Sequence, residues 1–405
     1  MKIIVLGGAA NMAQPAINYL VQQESVKEIV LTDINEKRLR QIVEQLGSKA
    51  SAKRLDIHNY EELTSIMTHA DLVMNFVGPY YRYKTAVLEA AINSEVNYID
   101  LCDDYDVTIE ALKLDKLAKE KGVTAITGMG ASPGVTNVLA RLGADALDRT
   151  DEINTYWVVG DAEPSGFGAL IHMFHIMEGK VPTFLEGEER WIRAFQRDTA
   201  EKIDFGEPVG EVTLYHVGHP EPVTLSKYIP NVKKVTNLGA LLPEFQNPMF
   251  KTLVDLGLTS EEPMMFKDEP VVPLEFLLSL FQHKQTKAKQ RSGKKKRSVS
   301  AARVEVIGEK GGQKASYTFT KSAYDRMDQG TSVPAGVVAA QLLNKEINIQ
   351  GVVAPECLAP KQIMASLQEI GYFEGEKGFQ VKRTIEDSTV TSSIIDTETF
   401  PELWE

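Results

Sequence analysis

The chain has 405 residues, of which 43% are hydrophobic and 25% charged, and it carries a formal charge of −12. That length exceeds one ordinary core and points to two domains, while the acidity argues against nucleic acid or an anionic membrane as the main partner. Cys102 and Cys357 are the only cysteines, which argues against a disulfide framework. No apolar run approaches the roughly 20 residues that span a bilayer, and the N-terminal run is too short for a cleavable signal, so the expected setting is cytoplasmic.

Through the first 130 residues, short apolar runs alternate with helical patterns. The runs are Ile3–Leu6, Glu28–Asp33, Ala52–Ile57, Asp71–Val77, Asn97–Cys102 and Val123–Gly128. Helical spacing appears over Ala13–Gln22 and from Asn35, Asn59 and Tyr83. Asn35 and Asn59 stand where N-caps belong, because their side-chain oxygens can accept from first-turn N–H groups. Strands alternating with helices give βαβ units and a parallel sheet covered on both faces. The expected fold class is therefore α/β, with residues 1–130 forming a doubly wound Rossmann domain of six strands.

Beyond Gly134 the apolar runs lengthen and the alternation stops. A second α+β domain with a mixed sheet is expected over residues 131–330, with helices near Gly168–Glu178 and Pro273–Gln282 and a hairpin across Gly308–Gln313. The basic stretch from Gln282 to Ser300 lacks aromatic residues for stacking bases and reads as a surface loop. Pro334 is expected to start a helix, and residues 331–370 to pack back on the first domain.

The first strand ends at Gly7-Gly8 and passes straight into a helical pattern, the context of a dinucleotide-binding turn. Gly7 fills the first fingerprint position, whereas Ala9 and Met12 replace the second and third glycines. The N–H groups of Ala10, Asn11 and Met12 are expected to face the diphosphate. Asp33, closing the second strand, can accept from the adenosine ribose and would repel a 2′-phosphate, which favours NAD over NADP. Lys37 and Arg38 follow a turn later and could accommodate NADP. Asp56 is a candidate partner for the adenine, or a cap for the next helix. Val77 and Gly78, in "NFVGPYY", should line the nicotinamide side.

The segments "VLGGAANMAQPAINYL", "VGPYYRYKTAVLEAAINSEVNYIDLCDD" and "TGMGASPGVTNVLA" resemble the saccharopine dehydrogenase-like family of oxidoreductases. The resemblance continues through "HMFHIMEGKVPTF", "VGHPEPVTL" and "GVVAPE", nearly the whole chain. It implies an NAD(P)-dependent enzyme passing hydride between nicotinamide and a C–N or C=N carbon of an amino acid or carboxylated polyamine. Two other readings stand beside it, a dinucleotide-binding sensor without turnover and a synthase that uses NAD transiently. Relatives often carry an acidic residue where this chain has Ser132. A homodimer through the second domain's sheet is expected.

Chemistry on a C–N bond needs a proton donor or acceptor beside the reacting carbon. Tyr80, after the fourth strand, and Asp103 and Asp104, after the fifth, are the candidates, with Asp104 alternatively capping a helix near Val107. The loop "GMGASPGVTN" should start a helix whose N–H groups near Gly134, Val135 and Asn137 could bind a substrate carboxylate. His172 and His175, three apart on one helix face, are candidates for substrate binding and for acid–base chemistry respectively. No metal is expected, since no third ligand is evident beside them. His216 and His219 read as pocket-lining at most, and Glu356 as an acceptor for an ammonium group or a cap.

Overall fold

The computed structural model describes residues 1–160, 167–289, 298–324, 327–374 and 378–404. The first domain runs β1 (Lys2–Leu6), α1 (Gln14–Val21), β2 (Glu28–Asp33), α2 (Glu36–Leu46), β3 (Ala50–Arg54), α3 (Tyr60–Met67), β4 (Leu72–Asn75) and α4 (Tyr80–Asn93). It continues with β5 (Asn97–Asp100), α5 (Tyr105–Lys113), α6 (Asp115–Glu120), β6 (Thr124–Ile126) and α7 (Val135–Asp145). Ile3, Ile4, Val5 and Leu6 are wholly buried, as a strand covered on both faces requires. Each such side chain contributes about 1.5–3 kcal/mol by leaving water. Asn35 and Asn59 cap α2 and α3, accepting from the N–H groups of Arg38 and Glu62.

The second domain holds β7 (Arg149–Gly160), α8 (Phe167–His175), β8 (Lys180–Leu185), β9 (Glu188–Arg193), β10 (Glu201–Asp204), β11 (Glu211–His216), α9 (Glu221–Tyr228) and β12 (Lys234–Leu242). There follow α10 (Gln246–Asp255), β13 (Met264–Phe266), β14 (Glu269–Val271), α11 (Pro273–Lys289), β15 (Ser300–Lys310) and β16 (Gln313–Ala323). The chain closes with α12 (Met327–Leu343), β17 (Gly351–Val353), α13 (Pro360–Glu369), β18 (Gln380–Ile385) and β19 (Ser388–Ser393).

The first sheet has seven parallel strands in the order β17-β6-β5-β4-β1-β2-β3. Strand order reverses between β1 and β4, so the crevice for a ligand opens at their carboxyl ends. The seventh strand, absent from the sequence reading, is β17, which returns from the C-terminal part to pair with β6, while α12 packs on α1. The second sheet is mixed: β12 runs parallel to β7, and β15 antiparallel to it. It extends past the expected boundary at residue 330 to take in β18 and β19.

Several boundaries differ from the sequence reading for identifiable reasons. Strand β3 stops before Asp56, whose carboxylate accepts from the N–H of His58 and bends the chain. The run around "LYHVGHPEPVTL" divides into β11, a loop and α9. Pro334 lies inside α12 instead of starting it. Its missing N–H frees the carbonyl of Gly330 four residues earlier, and the hydroxyl of Tyr372 takes that place at 2.7 Å. The hairpin turns on Gly311-Gly312, both at positive φ, tighter than expected. Helix α11 continues through Lys289 into the basic stretch, whose residues 290–297 lie outside the described residues. No helix among the described residues is long and apolar enough to cross a membrane.

One close approach carries the second domain's aromatic wall. A Cβ on Gly239 of β12 would lie 2.2 Å from the indole of Trp157 on β7, so the ring lies flat across that position. Its N–H donates to Asn237 Oδ1 at 3.1 Å. Gly239→Ala must displace the ring from a packed layer, and chemical denaturation is expected to show a loss of about 1–3 kcal/mol.

Candidate active site

The β1–α1 turn keeps part of the dinucleotide device. Gly7 sits at φ +73, and a Cβ there would lie 2.9 Å from the Phe76 carbonyl, so the turn packs directly on the end of β4. Residues 11–13 form a single 3₁₀ turn before α1, which absorbs Met12 without the third glycine. The N–H of Ala10 bonds to Gly7 O, and that of Ala9 approaches Asp33 Oδ2 at 3.3 Å. Neither is free for a phosphate, whereas the N–H groups of Asn11 and Met12 have no hydrogen-bond partner among the described residues. Asp33 also accepts from Asn35 N at 2.9 Å. The guanidinium of Arg38 donates to Ala9 O and to Asn11 Oδ1. Val77 and Gly78 stand partly and fully exposed after β4, opposite the start of α8, where a Cβ on Gly168 would lie 3.5 Å from Gly78.

Behind the crevice lies a cluster that the sequence reading missed. Asp100, at the end of β5, accepts from Cys102 N at 3.0 Å, Gly128 N at 2.8 Å and the Tyr98 hydroxyl at 2.9 Å. Lys84 of α4, wholly buried, lies 3.5 Å from Asp100 and donates to Thr127. Burial opposes its charge, but Asp100 and Cys102 more than offset that and raise its pKa. A lysine on an apolar helix face is the signal that could have found this pair. Cys102 is a buried strand end whose thiol is pushed well above its ordinary range, first by burial.

Asp104 occupies the N-cap position of α5 without capping it. Its carboxylate instead accepts from Tyr81 N at 2.9 Å and meets His172 Nδ1 at 2.7 Å. His172 Nε2 lies 3.1 Å from Asp103 Oδ2, so one imidazole of α8 bridges two adjacent carboxylates of the first domain. Burial disfavours the imidazolium, but Asp103 and Asp104 outweigh it and push His172 to about 9. Burial raises the pKa of Asp103 against the pull of His172. For Asp104, burial is overcome by the His172 charge and hydrogen bond, and its pKa falls. The three groups titrate as one unit.

Tyr80 and His175 take other places than expected. Tyr80 is half-buried, and its hydroxyl donates to Asn75 O at 3.0 Å. Burial and then Asp100 raise its pKa well above the ordinary value, so its proton is committed to a carbonyl. His175 pairs with Asp106 at 3.0 Å and stacks on Tyr81 at 4.3 Å, and the Tyr81 hydroxyl donates to Glu261. Arg82 joins Glu261 in an ion pair of 2.5 Å. This row ties the two domains together at the rim, and His172, three residues earlier, is the imidazole between the carboxylates.

The start of α7 offers a substrate carboxylate less than the sequence suggested. The N–H groups of Gly134, Val135 and Thr136 are taken by Asn137 Oδ1, Gly130 O and Ala131 O. Asn137 donates to Glu356 Oε2 at 2.9 Å, so the pair braces α7 against the turn after β17. Glu356 is fully buried, its Oε1 is unpartnered, and burial raises its pKa to about 7. One oxygen of Asp56, Oδ1, accepts from His58 N ahead of α3.

The loop after β11 supplies two further groups undervalued in the sequence. His219 is 3% exposed, stacks on Trp157 with centroids 5.2 Å apart, and lies 5.7 Å from the His172 ring. Glu221, fully buried at the start of α9, approaches His219 Nδ1 at 3.3 Å and accepts from Ser132 Oγ at 2.6 Å. Atoms of Asp103, His172 and His219 lie within 4.8 Å of one another, which supplies the third candidate ligand that the sequence lacked. Both nitrogens of His172 face carboxylates, Nε2 that of Asp103 and Nδ1 that of Asp104.

The comparisons agree with this architecture. Residues 3–126 match the saccharopine dehydrogenase NADP binding domain and residues 130–372 the saccharopine dehydrogenase C-terminal domain. The chain is 26% identical over 356 residues to carboxynorspermidine synthase of Vibrio cholerae, covering 80% of this chain and 82% of that one. It is 23% identical over 400 residues to carboxyaminopropylagmatine dehydrogenase of Synechocystis, covering 92% and 96%. Among solved structures it resembles apo saccharopine dehydrogenase (L-Glu forming) of Saccharomyces cerevisiae, with a TM-score of 0.68 at 15% identity over 96% of this chain and 99% of that one. It also resembles homospermidine synthase of Legionella pneumophila in complex with NAD, with a TM-score of 0.56 at 12% identity over 96% and 92%.

The bridge between the domains has a pH signature. Because the folded pKa of His172 is raised to about 9, its stabilising contribution is full below the unfolded value and is lost as pH rises through about 9. Unfolding free energy measured by denaturant should fall between pH 6.5 and 9.5 in the native protein, and His172→Gln should flatten that slope.

Proposed function

The chain belongs to the saccharopine dehydrogenase family of NAD(P)-dependent oxidoreductases, and from that membership we propose that its crevice oxidises or forms the C–N bond of a carboxylated polyamine. The observation that carries the reading is the Asp103–His172–Asp104 unit at the carboxyl ends of the parallel strands. Among the described residues no lysine or arginine pairs with either carboxylate, so the charge beside the crevice suits a cationic nitrogen. The names of the two relatives, a carboxynorspermidine synthase and a carboxyaminopropylagmatine dehydrogenase, support that substrate class. On this reading the enzyme works in the cytoplasm as a homodimer.

The residues of the β1–α1 turn fit a dinucleotide, since Gly7 fills a space where a Cβ would meet backbone. Asn11 and Met12 would meet the diphosphate through their N–H groups, Asp33 the ribose, Asp56 the adenine, and Val77 and Gly78 the nicotinamide side. When bound, the nicotinamide supplies the hydride acceptor or donor. Asp103 takes the amine proton on oxidation and passes it to the neutral His172 imidazole, and the same path returns it on reduction. Asp104 acts at one remove: it holds His172 Nδ1 and so aims Nε2 at Asp103. Tyr80 steadies the β4–α4 turn, and Glu356 supports α7 from behind.

The NAD form is proposed because Asp33 places a negative charge where a 2′-phosphate would sit, while Arg38 spends donors on Ala9 and Asn11. Thermal unfolding should shift more with NAD or NADH than with NADP or NADPH, and Asp33→Asn should narrow the difference. A larger shift with NADP would move the 2′-phosphate onto Arg38 and overturn the assignment.

Carboxynorspermidine should reduce NAD, read as absorbance of NADH. The unit must give up its proton to act as a base, so kcat/KM for oxidation should rise with pH through about 9, and the reverse reduction should fall over the same interval. His172→Gln should lower the rate by about 10²–10⁴-fold and erase that inflection. A cofactor-induced thermal shift without turnover on any amine would favour a dinucleotide sensor instead.

A further inference from the structure

The His219–Glu221 pair is buried, ionisable and not used by the hydride step. His219 Nδ1 and Glu221 Oε2 lie 3.3 Å apart but out of line, so both atoms lack a hydrogen bond among the described residues. An unsatisfied buried polar atom costs about 1–3 kcal/mol, and two of them facing each other mark a site kept for something other than stability. Three features hold the pair in place: Trp157 stacks on one face of His219, Ser132 fixes the other oxygen of Glu221, and Tyr105 packs over Gly218, where a Cβ would lie 3.0 Å from the ring.

The two imidazoles beside Asp103 have different surroundings. His172 faces a carboxylate on each nitrogen and holds a proton to about 9. His219 faces Glu221 at Nδ1 and lies with His172 within 4.8 Å of Asp103, so its ring stands between the loop acid and the crevice carboxylate. Oxidising a secondary amine gives an iminium, and release of products then needs water. One group suits the amine proton, and a second, basic group suits the water.

We propose that His219, packed on Trp157 and facing Glu221, is the general base that adds water to the iminium carbon, a step separate from the Asp103–His172 unit; this rests on the amine-oxidising reading above. Water's O–H bond breaks as its oxygen bonds to the iminium carbon, and the proton passes to His219. His219 then gives that proton to the nitrogen as the C–N bond breaks, and the hydroxyl loses its proton to solvent as the carbonyl forms. The products are a free amine and a carbonyl compound, with the hydride already on the nicotinamide. In the reverse direction the same groups dehydrate the carbinolamine.

The test is stopped-flow formation of NADH from carboxynorspermidine and NAD by the native enzyme and by His219→Gln and Glu221→Gln. In His219→Gln the first turnover should stay within about threefold of the native rate while steady-state turnover falls about 100-fold, leaving a burst of one NADH per site. Glu221→Gln should show the same split, smaller in size, and both variants should keep the native thermal shift with NAD. If the first turnover and the steady state fall together, or neither changes, the assignment of His219 is overturned. A native enzyme that gives no NADH from any amine would sink the underlying reading as well, and is distinguished by that absence.

Discussion

Everything at the crevice hangs from the buried carboxylate of Asp100. It receives two backbone N–H groups from the segments after β5 and β6, a tyrosine hydroxyl from its own strand, and the charge of Lys84 from α4. Tyr98 in turn accepts from Asn75 at the end of β4. Strand ends otherwise free to splay are thereby locked at fixed spacing. A buried ion pair of this kind costs solvation, and satisfying nearly every remaining lone pair makes it tolerable. The outcome is a rigid platform from which the loops bearing Tyr80, Asp103 and Asp104 depart in set directions.

The ionisable groups at the crevice are divided between the domains by charge type. Carboxylates come from the loop after β5 and the first turn of α5, at Asp103, Asp104 and Asp106, and the imidazoles beside them come from α8 and the loop after β11 in the second domain. Neither half holds this cluster alone. Contact between the domains brings these groups together, and the Tyr81–Glu261–Arg82 row at the rim fastens the same joint.

Much of the first domain was legible because its signals are local. Period, N-caps and apolar runs each act within a dozen residues, so β1, β2 and the capped helices α2 and α3 follow from the sequence. The strand β17 was not legible, since three residues, Gly351–Val353, carry no pattern and gain strand geometry only from β6. Pro334 misled for a similar reason: its helix is completed by a hydroxyl from Tyr372, 38 positions on. At the site, Asp103 and Asp104 stood out as adjacent acids, but periodicity cannot tell which of two histidines on one helix turn reaches them. His219 and Glu221 were undervalued because their meeting with Ser132 spans 89 positions of chain.

The late return of β17 has a consequence for how the molecule is made. Synthesis proceeds from the N-terminus, and domains tend to fold as they emerge. Here six strands of the first sheet are available early, but the strand beside β6 and the helix lying on α1 appear only after β7 to β16 have been translated. The nascent first domain must wait with one sheet edge unpaired, through contacts of very long sequence separation. The nucleotide-binding half is thus the first to emerge, yet its sheet cannot be completed until the strands from β7 to β16 have been made.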